Sequence, residues 1–484
     1  MALEIVAGRA LAPYVGMSLY TWTLIIAVVL AGLSLGHWIG GVVADKTTRP
    51  DRWVAGGLSG AALTAGVSLV ALRLVDPAVE GIDPVGHTGA LALAAFFLPS
   101  TLAGLLAPLL TKMALDATPP ARRGRVLGLM FALGAFGAIL GTLAAGLVMI
   151  SLVGTTGSVM IVTGVYAVLA LIFWSGRARF AALAVFGLAV GAAALSPSRL
   201  WAVHCLTESA YFCIRVDDLQ FMGREARVMA LDHLAHGVND AKDPQLLLTP
   251  YVHGVDEIVR HRLRGQLDSA FFIGGGAYSL PRAWAVRHPQ ARLAVAELDP
   301  AVTRIATEKL WAGSALKVYH ADARLALKTL PADVRFDVIF GDAFHDISVP
   351  QHLVTDEFHA LVASRLTERG IYAMNVVDKL REPLFVLSLA ETLSRRFRHV
   401  ELWMDLEAIS PSEKRTTWIV IASQVATNVG EIRSKYGFTR RWVQVPVKRM
   451  ISHVGAEKLV FLTDDYAPVD WLMRDLLLRR ELTE

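Results

Sequence analysis

The sequence predicts a membrane α-helical bundle of about six helices, followed by an α/β domain that opens with a small β-hairpin. Two counts and one pattern carry this prediction. The chain of 484 residues is 54% hydrophobic and only 19% charged, against about 25% charged in an ordinary soluble domain. The deficit is local: residues 1–200 contain 19 of the 90 Asp, Glu, Lys and Arg residues, and residues 201–484 contain the other 71. After residue 269, short apolar runs alternate with helical segments, the signature of parallel strands joined by crossover helices.

Within residues 1–198, stretches free of Asp, Glu, Lys and Arg cover 10–44, 53–72, 84–111, 126–176 and 180–198. A spanning helix needs about 20 apolar residues, so the fourth stretch holds two, with Ser151–Gly157 as the turn between them. Expected helices are 18–43, 54–73, 88–113, 126–150, 157–175 and 180–196. The first stretch is too long for a cleavable leader and lacks a small-residue cleavage site. Gly134, Gly137, Gly141 and Ala145 have the spacing of close helix contacts. No ionisable Asp, Glu, Lys or Arg lies in mid-membrane, where a coupled transporter often keeps one.

Basic residues mark an orientation. Lys46/Arg49/Arg52, Arg122/Arg123/Arg125 and Arg177/Arg179 identify three cytoplasmic loops, while Asp76/Glu80/Asp83 and the uncharged 151–157 turn face outward. The expected location is the cytoplasmic (plasma, inner) membrane, with the lipid bilayer as a partner. If 180–196 crosses, the following domain lies outside the cytoplasm; if it re-enters or lies in the interface, the domain stays inside. The net charge is +5 over residues 1–200 and −1 over the remainder, so the basic character belongs to the loops and a nucleic-acid partner is disfavoured.

Residues 199–484 form the second domain, with a hairpin region at 201–232, a nucleotide-binding core at 250–425 and an extension at 426–484. Ala210–Val216 and Ala226–Leu231 alternate as hairpin strands. Core strands are expected at Ala270–Ile273, Arg292–Glu297, Leu316–His320, Phe336–Phe340, Gly370–Val377, His399–Trp403 and Thr417–Ala422. Helices are expected to begin near Ser279, Pro300, Asp322 and Pro350, with another at Pro383–Arg396. The extension adds a strand at Val443–Val447 and a helix at Val469–Glu481.

The ligand signals sit at strand ends, where an open α/β sheet forms its crevice. The first strand ends in Gly274-Gly275-Gly276, which lets the backbone turn tightly and approach a ligand. The second ends at Glu297, placed to accept ribose hydroxyls. The third ends at His320-Ala321-Asp322-Ala323, where Asp322 can reach an adenine amino group. The fourth ends at Gly341-Asp342-Ala343-Phe344-His345-Asp346. Each carboxylate could also serve as a helix N-cap.

These residues, in the order hairpin, Leu231-Asp232, Tyr251/His253, Gly274–Gly276, Glu297, Asp322-Ala323 and Asp342, resemble the spermidine synthase family of polyamine aminopropyltransferases. The membrane-fused, spermidine-synthase-like branch is the nearest, supported by Glu208-Ser209-Ala210-Tyr211 and Asp464-Asp465-Tyr466-Ala-Pro468. The resemblance spans about 205–378. It implies a Rossmann-like, methyltransferase-type fold that takes S-adenosylmethionine or decarboxylated S-adenosylmethionine as cosubstrate and an amine as acceptor. It also implies that Gly274, Gly275 and Gly276 flank the cosubstrate, that Glu297 holds the ribose, and that Asp322 and Ala323 meet the adenine. Asp342 becomes the catalytic base, with Asp232, Tyr251, His253 and Asp346 on the acceptor.

The chain departs from the family pattern at three places. Ala277 stands where an Asp usually follows the glycines. Leu231-Asp232-His233-Leu-Ala-His236 replaces Leu-Asp-Gly-x-x-Gln, and the second carboxylate of the catalytic segment is shifted by one, to Asp346. Fewer carboxylates then line the amine pocket. Two functions stay open: transfer of an aminopropyl or methyl group, and a non-catalytic or transport-linked protein with a degenerate nucleotide-binding domain. Cys205 and Cys213 are either two thiols or a disulfide, the latter requiring an oxidising compartment. No metal site is expected from two cysteines without histidines at ligand spacing. A homodimer is an open expectation.

Overall fold

The computed structural model describes residues 1–195, 205–313, 316–407 and 415–478, with the side chains of 188–195 left aside. The chain divides into two compact units, Met1–Cys213 and Ile214–Glu484, a boundary 15 residues beyond the one expected from composition.

The first unit is helical. It starts with a helix the sequence reading omitted, α1 (Ala2–Val15), in which Leu3, Val6, Ala7, Ala10 and Leu11 bury one face against Ile25 and Val29. Glu4 and Arg9 obscure its apolar face in the sequence, yet both are buried. Gly16, at φ 74°, ends α1, and Ser18 caps α2 (Leu19–Lys46) by accepting from the Thr21 amide at 3.2 Å. The segment expected as one helix at 54–73 is a pair, α3 (Pro50–Gly66) and α4 (Ser68–Val79), bent by 52°. The third runs Pro84–Asp116 as α5 (Pro84–Ala92), α6 (Leu98–Gly104) and α7 (Leu106–Asp116). A π-helical segment at Leu93–Phe97 leads into Pro99, which has no N–H to continue the regular ladder.

Pro120–Phe173 is helical over 54 residues, including α8 (Arg123–Leu143) and α9 (Ile150–Phe173). At 1.5 Å per residue that is about 80 Å, well over twice a hydrocarbon core. Gly154, at φ 69° and ψ −176°, breaks it inside the expected 151–157 turn. α10 (Arg177–Leu195) follows, then a short strand, β1 (Thr207–Glu208); residue 196 of the expected last helix lies outside the described residues. Among the described residues, three helices are long and apolar enough to cross a membrane, Leu19–Lys46, Pro84–Asp116 and Pro120–Phe173, and the bent pair counts as a fourth if it forms one span.

Close packing occurs at other glycines than those expected. A Cβ on Gly40 would lie 2.6 Å from the Leu105 carbonyl, and one on Gly104 2.5 Å from that of Leu33. Ala145 is fully buried, and a Cβ on Gly141 would meet Ala2 at 3.6 Å. Gly134 and Gly137 instead face open space among the described residues. The spacing of small residues defines a face, but only the tertiary arrangement decides whether another helix covers it.

The second unit opens with an antiparallel meander of β2 (Cys213–Phe221), β3 (Arg224–Leu231) and β4 (Leu234–Asp240). Its last strand extends the expected hairpin. The core is a sheet of β5 (Ser269–Ile273), β6 (Arg292–Ala296), β7 (Lys317–Tyr319), β8 (Phe336–Gly341), β9 (Leu366–Lys379), β10 (His399–Asp405), β11 (Arg415–Ser423), β12 (Glu431–Arg433) and β13 (Arg441–Val445). Among the described residues its order is β12-β13-β10-β11-β9-β8-β5-β6-β7. Pairs β6–β7, β5–β6, β5–β8 and β8–β9 are parallel, whereas β11 runs antiparallel between β9 and β10. This order is that of the methyltransferase-type Rossmann-like fold expected from the resemblance. β5 reads Ser-Ala-Phe-Phe-Ile and is buried throughout, as parallel strands covered on both faces are. The sheet grows from β5 in both directions, so the carboxyl ends of β5 and β8 flank the switch point where such sheets bind ligands. The helix Pro250–Arg262 was not anticipated; it packs Gly254 against Ile419 and Trp442.

Candidate active site

The first wall of the crevice is backbone. Gly274 leaves β5 at φ 93°, its N–H bonded to the Ala296 carbonyl at 2.9 Å. A Cβ there would sit 2.5 Å from the Asp342 carbonyl oxygen, so the glycine allows the ends of β5 and β8 to approach. Gly276, at φ 50°, continues the bend, and the helix Ser279–Arg287 begins immediately beyond it. The Gly275 amide donates to Glu297 Oε2 at 2.8 Å, while Oε1 of Glu297 accepts from the Asp299 amide at 2.9 Å. Burial raises the Glu297 carboxyl above its ordinary range, against these donors. Each carboxylate oxygen keeps a second lone pair, so bracing the loop leaves Glu297 able to accept hydroxyls.

Ala277 is buried, and its methyl faces Gly237 on β4: a Cβ on Gly237 would be 2.7 Å away. Its carbonyl accepts from Asn239 Nδ2 at 2.8 Å, and Asn239 Oδ1 accepts from Ser279 at 2.7 Å. The position that carries a carboxylate in the family pattern is here a small apolar contact under the meander.

Asp322 has a double engagement. Its Oδ1 caps the helix Ala323–Thr329 through the Leu325 amide at 3.1 Å, and its Oδ2 lies 2.7 Å from His352 Nε2. His352 holds the carboxyl below its usual range. Ala323 is buried at the start of that helix. Asp322 is therefore a helix cap and one half of a His–Asp pair, one strand beyond Glu297, to whose carbonyl the His320 ring lies at 3.3 Å.

The second wall is made of side chains. Asp342, just past β8, accepts from Tyr251 OH at 3.0 Å and from Asn375 Nδ2 at 2.8 Å, and its amide donates to the Ile273 carbonyl at 2.9 Å. Loss of solvation pushes its carboxyl up to about 6 although both donors act to lower it. Tyr251 is raised well above its ordinary value by burial and then by Asp342, so it remains a neutral donor.

Asp346, in the left-handed region at φ 63°, is pushed up to about 7 by desolvation, with Asp232 and Asp470 adding to the effect. Its Oδ1 is 3.4 Å from His233 Nε2 and makes no hydrogen bond among the described residues. Desolvation, then Arg415 and Arg215, lower His233 to about 4. At neutral pH the histidine is thus uncharged, so the contact is no ion pair. Asp232 is buried at φ 54° in the turn between β3 and β4.

The structure bonds the glycine bend to Glu297 and Tyr251 to Asp342, ties Asp342 to the end of β5 through the Ile273 carbonyl, and brings Asp232 and Asp346 into one electrostatic cluster. It leaves His253 elsewhere. Two residues past Tyr251 on the helix, His253 is buried against Trp442, with ring centroids 5.0 Å apart, and its Nε2 is 3.6 Å from Glu257. Asn375, Asp470 and Arg415 were missed by the sequence reading. Only Asn375 carried a local signal, as the one polar side chain in the buried run Ile371–Val376 of β9. Among the described residues, no group of three His, Cys, Asp or Glu side chains could hold a metal ion.

Comparison with known proteins bears out the spermidine-synthase-like reading. The chain is 30% identical over 125 residues to the polyamine aminopropyltransferase of Vibrio vulnificus, covering 24% of this chain and 42% of that protein. It is 26% identical over 114 residues to a probable polyamine aminopropyl transferase of Bifidobacterium longum, covering 24% and 25% respectively. The chain thus spans less than half the length of these curated relatives. Among solved structures, a probable spermidine synthase from Corynebacterium glutamicum aligns with a TM-score of 0.44 at 20% identity, covering 54% of this chain and 95% of that one. Human methyltransferase-like protein 13, in complex with SAH, aligns with a TM-score of 0.31 at 20% identity, covering 36% and 83%. No protein-family model matches the chain.

Proposed function

We propose that this spermidine-synthase-like chain is a membrane-anchored transferase of the membrane-fused branch, with six passes in its helical unit. It binds S-adenosylmethionine or its decarboxylated form and transfers an aminopropyl or methyl group to an amine acceptor. The observation that carries this reading is Asp342: a carboxylate at the sheet's switch point, held by Tyr251 and Asn375, beside the glycine bend. The curated relatives, named as aminopropyltransferases, support the same chemistry.

In this reaction the lone pair of the amine nitrogen attacks the carbon bonded to the sulfonium sulfur. The C–N bond forms as the C–S bond breaks, and the bonding pair returns to sulfur, leaving a neutral thioether. The proton that the nitrogen sheds passes to Asp342. A carboxyl at about 6 is ionised at neutral pH yet more basic than a solvated Asp, as a general base should be. Tyr251 and Asn375 fix its orientation. Glu297 holds the ribose, and Gly274–Gly276 bring the backbone against the cosubstrate. Asp322 and Ala323 border the adenine; with its oxygens engaged by Leu325 and His352, Asp322 positions that edge more than it reads it. Asp232 and Asp346 face the cationic acceptor; a positive charge there would draw the proton from Asp346 and relieve its repulsion with Asp232.

The second reading, a degenerate domain without chemistry, is favoured by Ala277, which removes a carboxylate from the crevice, and by the topology count, which sets the domain opposite the basic loops if 180–196 crosses. Calorimetric titration of the full-length chain in detergent with S-adenosylmethionine and its decarboxylated analogue separates the two. Heat with either compound and turnover with a diamine are expected; no heat with either overturns the transferase reading. Binding without turnover over a panel of amines selects the degenerate one.

A further inference from the structure

The helical unit has two chemically distinct ends. Counting passes from α2 with Gly154 as a turn, loops 45–52, 112–125 and 177–179 fall at one end, with nine Lys and Arg against three carboxylates. Segments 1–15, 73–83 and 205–213 contain two basic residues against five carboxylates. By the positive-inside tendency, the first end is cytoplasmic.

The segment 205–213 is tied to the other end. Glu208 Oε2 accepts from the Thr155 amide at 2.5 Å, directly after the Gly154 break. Arg9 Nη1 donates to the Tyr211 carbonyl at 2.5 Å and Nη2 to that of Ser209 at 3.1 Å. α10 begins at the basic end with Arg177, and its 19 residues span about 28 Å, one hydrocarbon thickness. The chain therefore re-emerges opposite the basic loops. There, Cys205 and Cys213 form a disulfide that closes the tethered loop, a bond that persists in oxidising compartments and is rare in the cytosol. Charge distribution and cysteine chemistry select the same side independently.

We propose that the Cys205–Cys213 loop, and with it the unit beginning at Ile214, lies on the non-cytoplasmic face of the membrane. This rests on the membrane-spanning part of the reading above, not on its transfer chemistry. It narrows the acceptor to amines met outside the cytosol. A permanently charged sulfonium does not cross a bilayer unaided, so a cosubstrate drawn from the cytosol needs a transport step before the reaction.

The test uses the full-length chain in bacterial spheroplasts. In a Cys205→Ser/Cys213→Ser background, Met222→Cys, on the exposed β2–β3 turn, is expected to react with a membrane-impermeant maleimide in intact spheroplasts. Ala121→Cys, in a basic loop, is expected to react only after permeabilisation. The reverse pattern overturns the proposal. The native chain supplies a check free of substitutions: proteinase K added to intact spheroplasts should degrade Ile214–Glu484, and the two thiols should resist alkylation until reductant is added. Protection from protease until lysis, or alkylation without reductant, overturns it. Release of the chain by alkaline carbonate would overturn the membrane reading itself, while leaving ligand titrations of the second unit unaffected.

Discussion

The two walls of the crevice are built by different means. The glycine wall is backbone, local in sequence and braced by one carboxylate: Gly274–Gly276 are consecutive and Glu297 lies 21 residues after the last of them. The second wall is side chain, assembled from the β3–β4 turn, the helix Pro250–Arg262, the end of β8, and β9. The first needs only a strand, a bend and a helix to form. The second exists only when four distant segments meet. The departures from the family pattern at His233 and Asp346 fall on this second wall, while Ala277, and His236 beside Gly276, fall where the two walls join.

The sharpest way to break this division is Asp342→Asn. It should reduce kcat by about 10²–10⁴-fold, the usual range for a general base, while calorimetry shows unchanged cosubstrate affinity; a parallel loss of affinity would merge the two walls. Glu297→Ala should do the opposite. Loss of a charged acceptor for the ribose, at roughly 1.5–3 kcal/mol per hydrogen bond, should weaken cosubstrate binding by about tenfold to 100-fold or more, with the acceptor KM nearly constant.

Tyr251→Phe should have a smaller effect, about tenfold on kcat/KM, read best in a pH profile. Asp342 must be ionised to accept a proton, so activity should fall as pH drops through about 6. The Tyr251 hydroxyl favours the ionised form, so its removal should move that acid limb to higher pH. An unmoved limb would assign it to another group.

The smallest effect concerns stability. Asp378 is fully buried, accepts from the Val386 and Lys379 amides at 3.0 and 2.7 Å, and is pushed by burial up to about 7. With its folded value above the unfolded one, the folded state binds more protons between about 4 and 7, so its contribution to stability falls as pH rises through that window. Asp378→Asn should flatten that part of the melting-temperature profile. A steeper slope in the variant would refute the assignment. His359, buried and lowered to about 3, acts in the opposite sense: its contribution is lost as pH falls below about 6.5.

Much of the architecture was legible because it depends on local pattern. Apolar runs bounded by turns located β5, β6, β8, β10 and β11 to within two residues, and the glycine triplet with Glu297 and Asp342 marked the switch point. What escaped depended on contacts distant in sequence. α1 was hidden because Glu4 and Arg9 look solvent-seeking until the carbonyls of Ser209 and Tyr211 are found to receive Arg9 some 200 residues later. At Asp322 the sequence named the carboxylate but not its pairing with His352, 30 residues further along the chain.

By itself, the sequence determined that an apolar helical region precedes an α/β domain, and which strand end bears glycine and which bears a carboxylate, because hydropathy and periodicity follow from neighbouring residues. The tertiary structure alone decided which carboxylates are free for chemistry and which are helix caps. It also placed Tyr251 rather than His253 on Asp342 and tied the Cys205–Cys213 loop to Arg9 and Thr155, at the end of the helices opposite the basic loops. The physical reason is that solvation and partner choice are set by what packs nearby, which chain order does not specify.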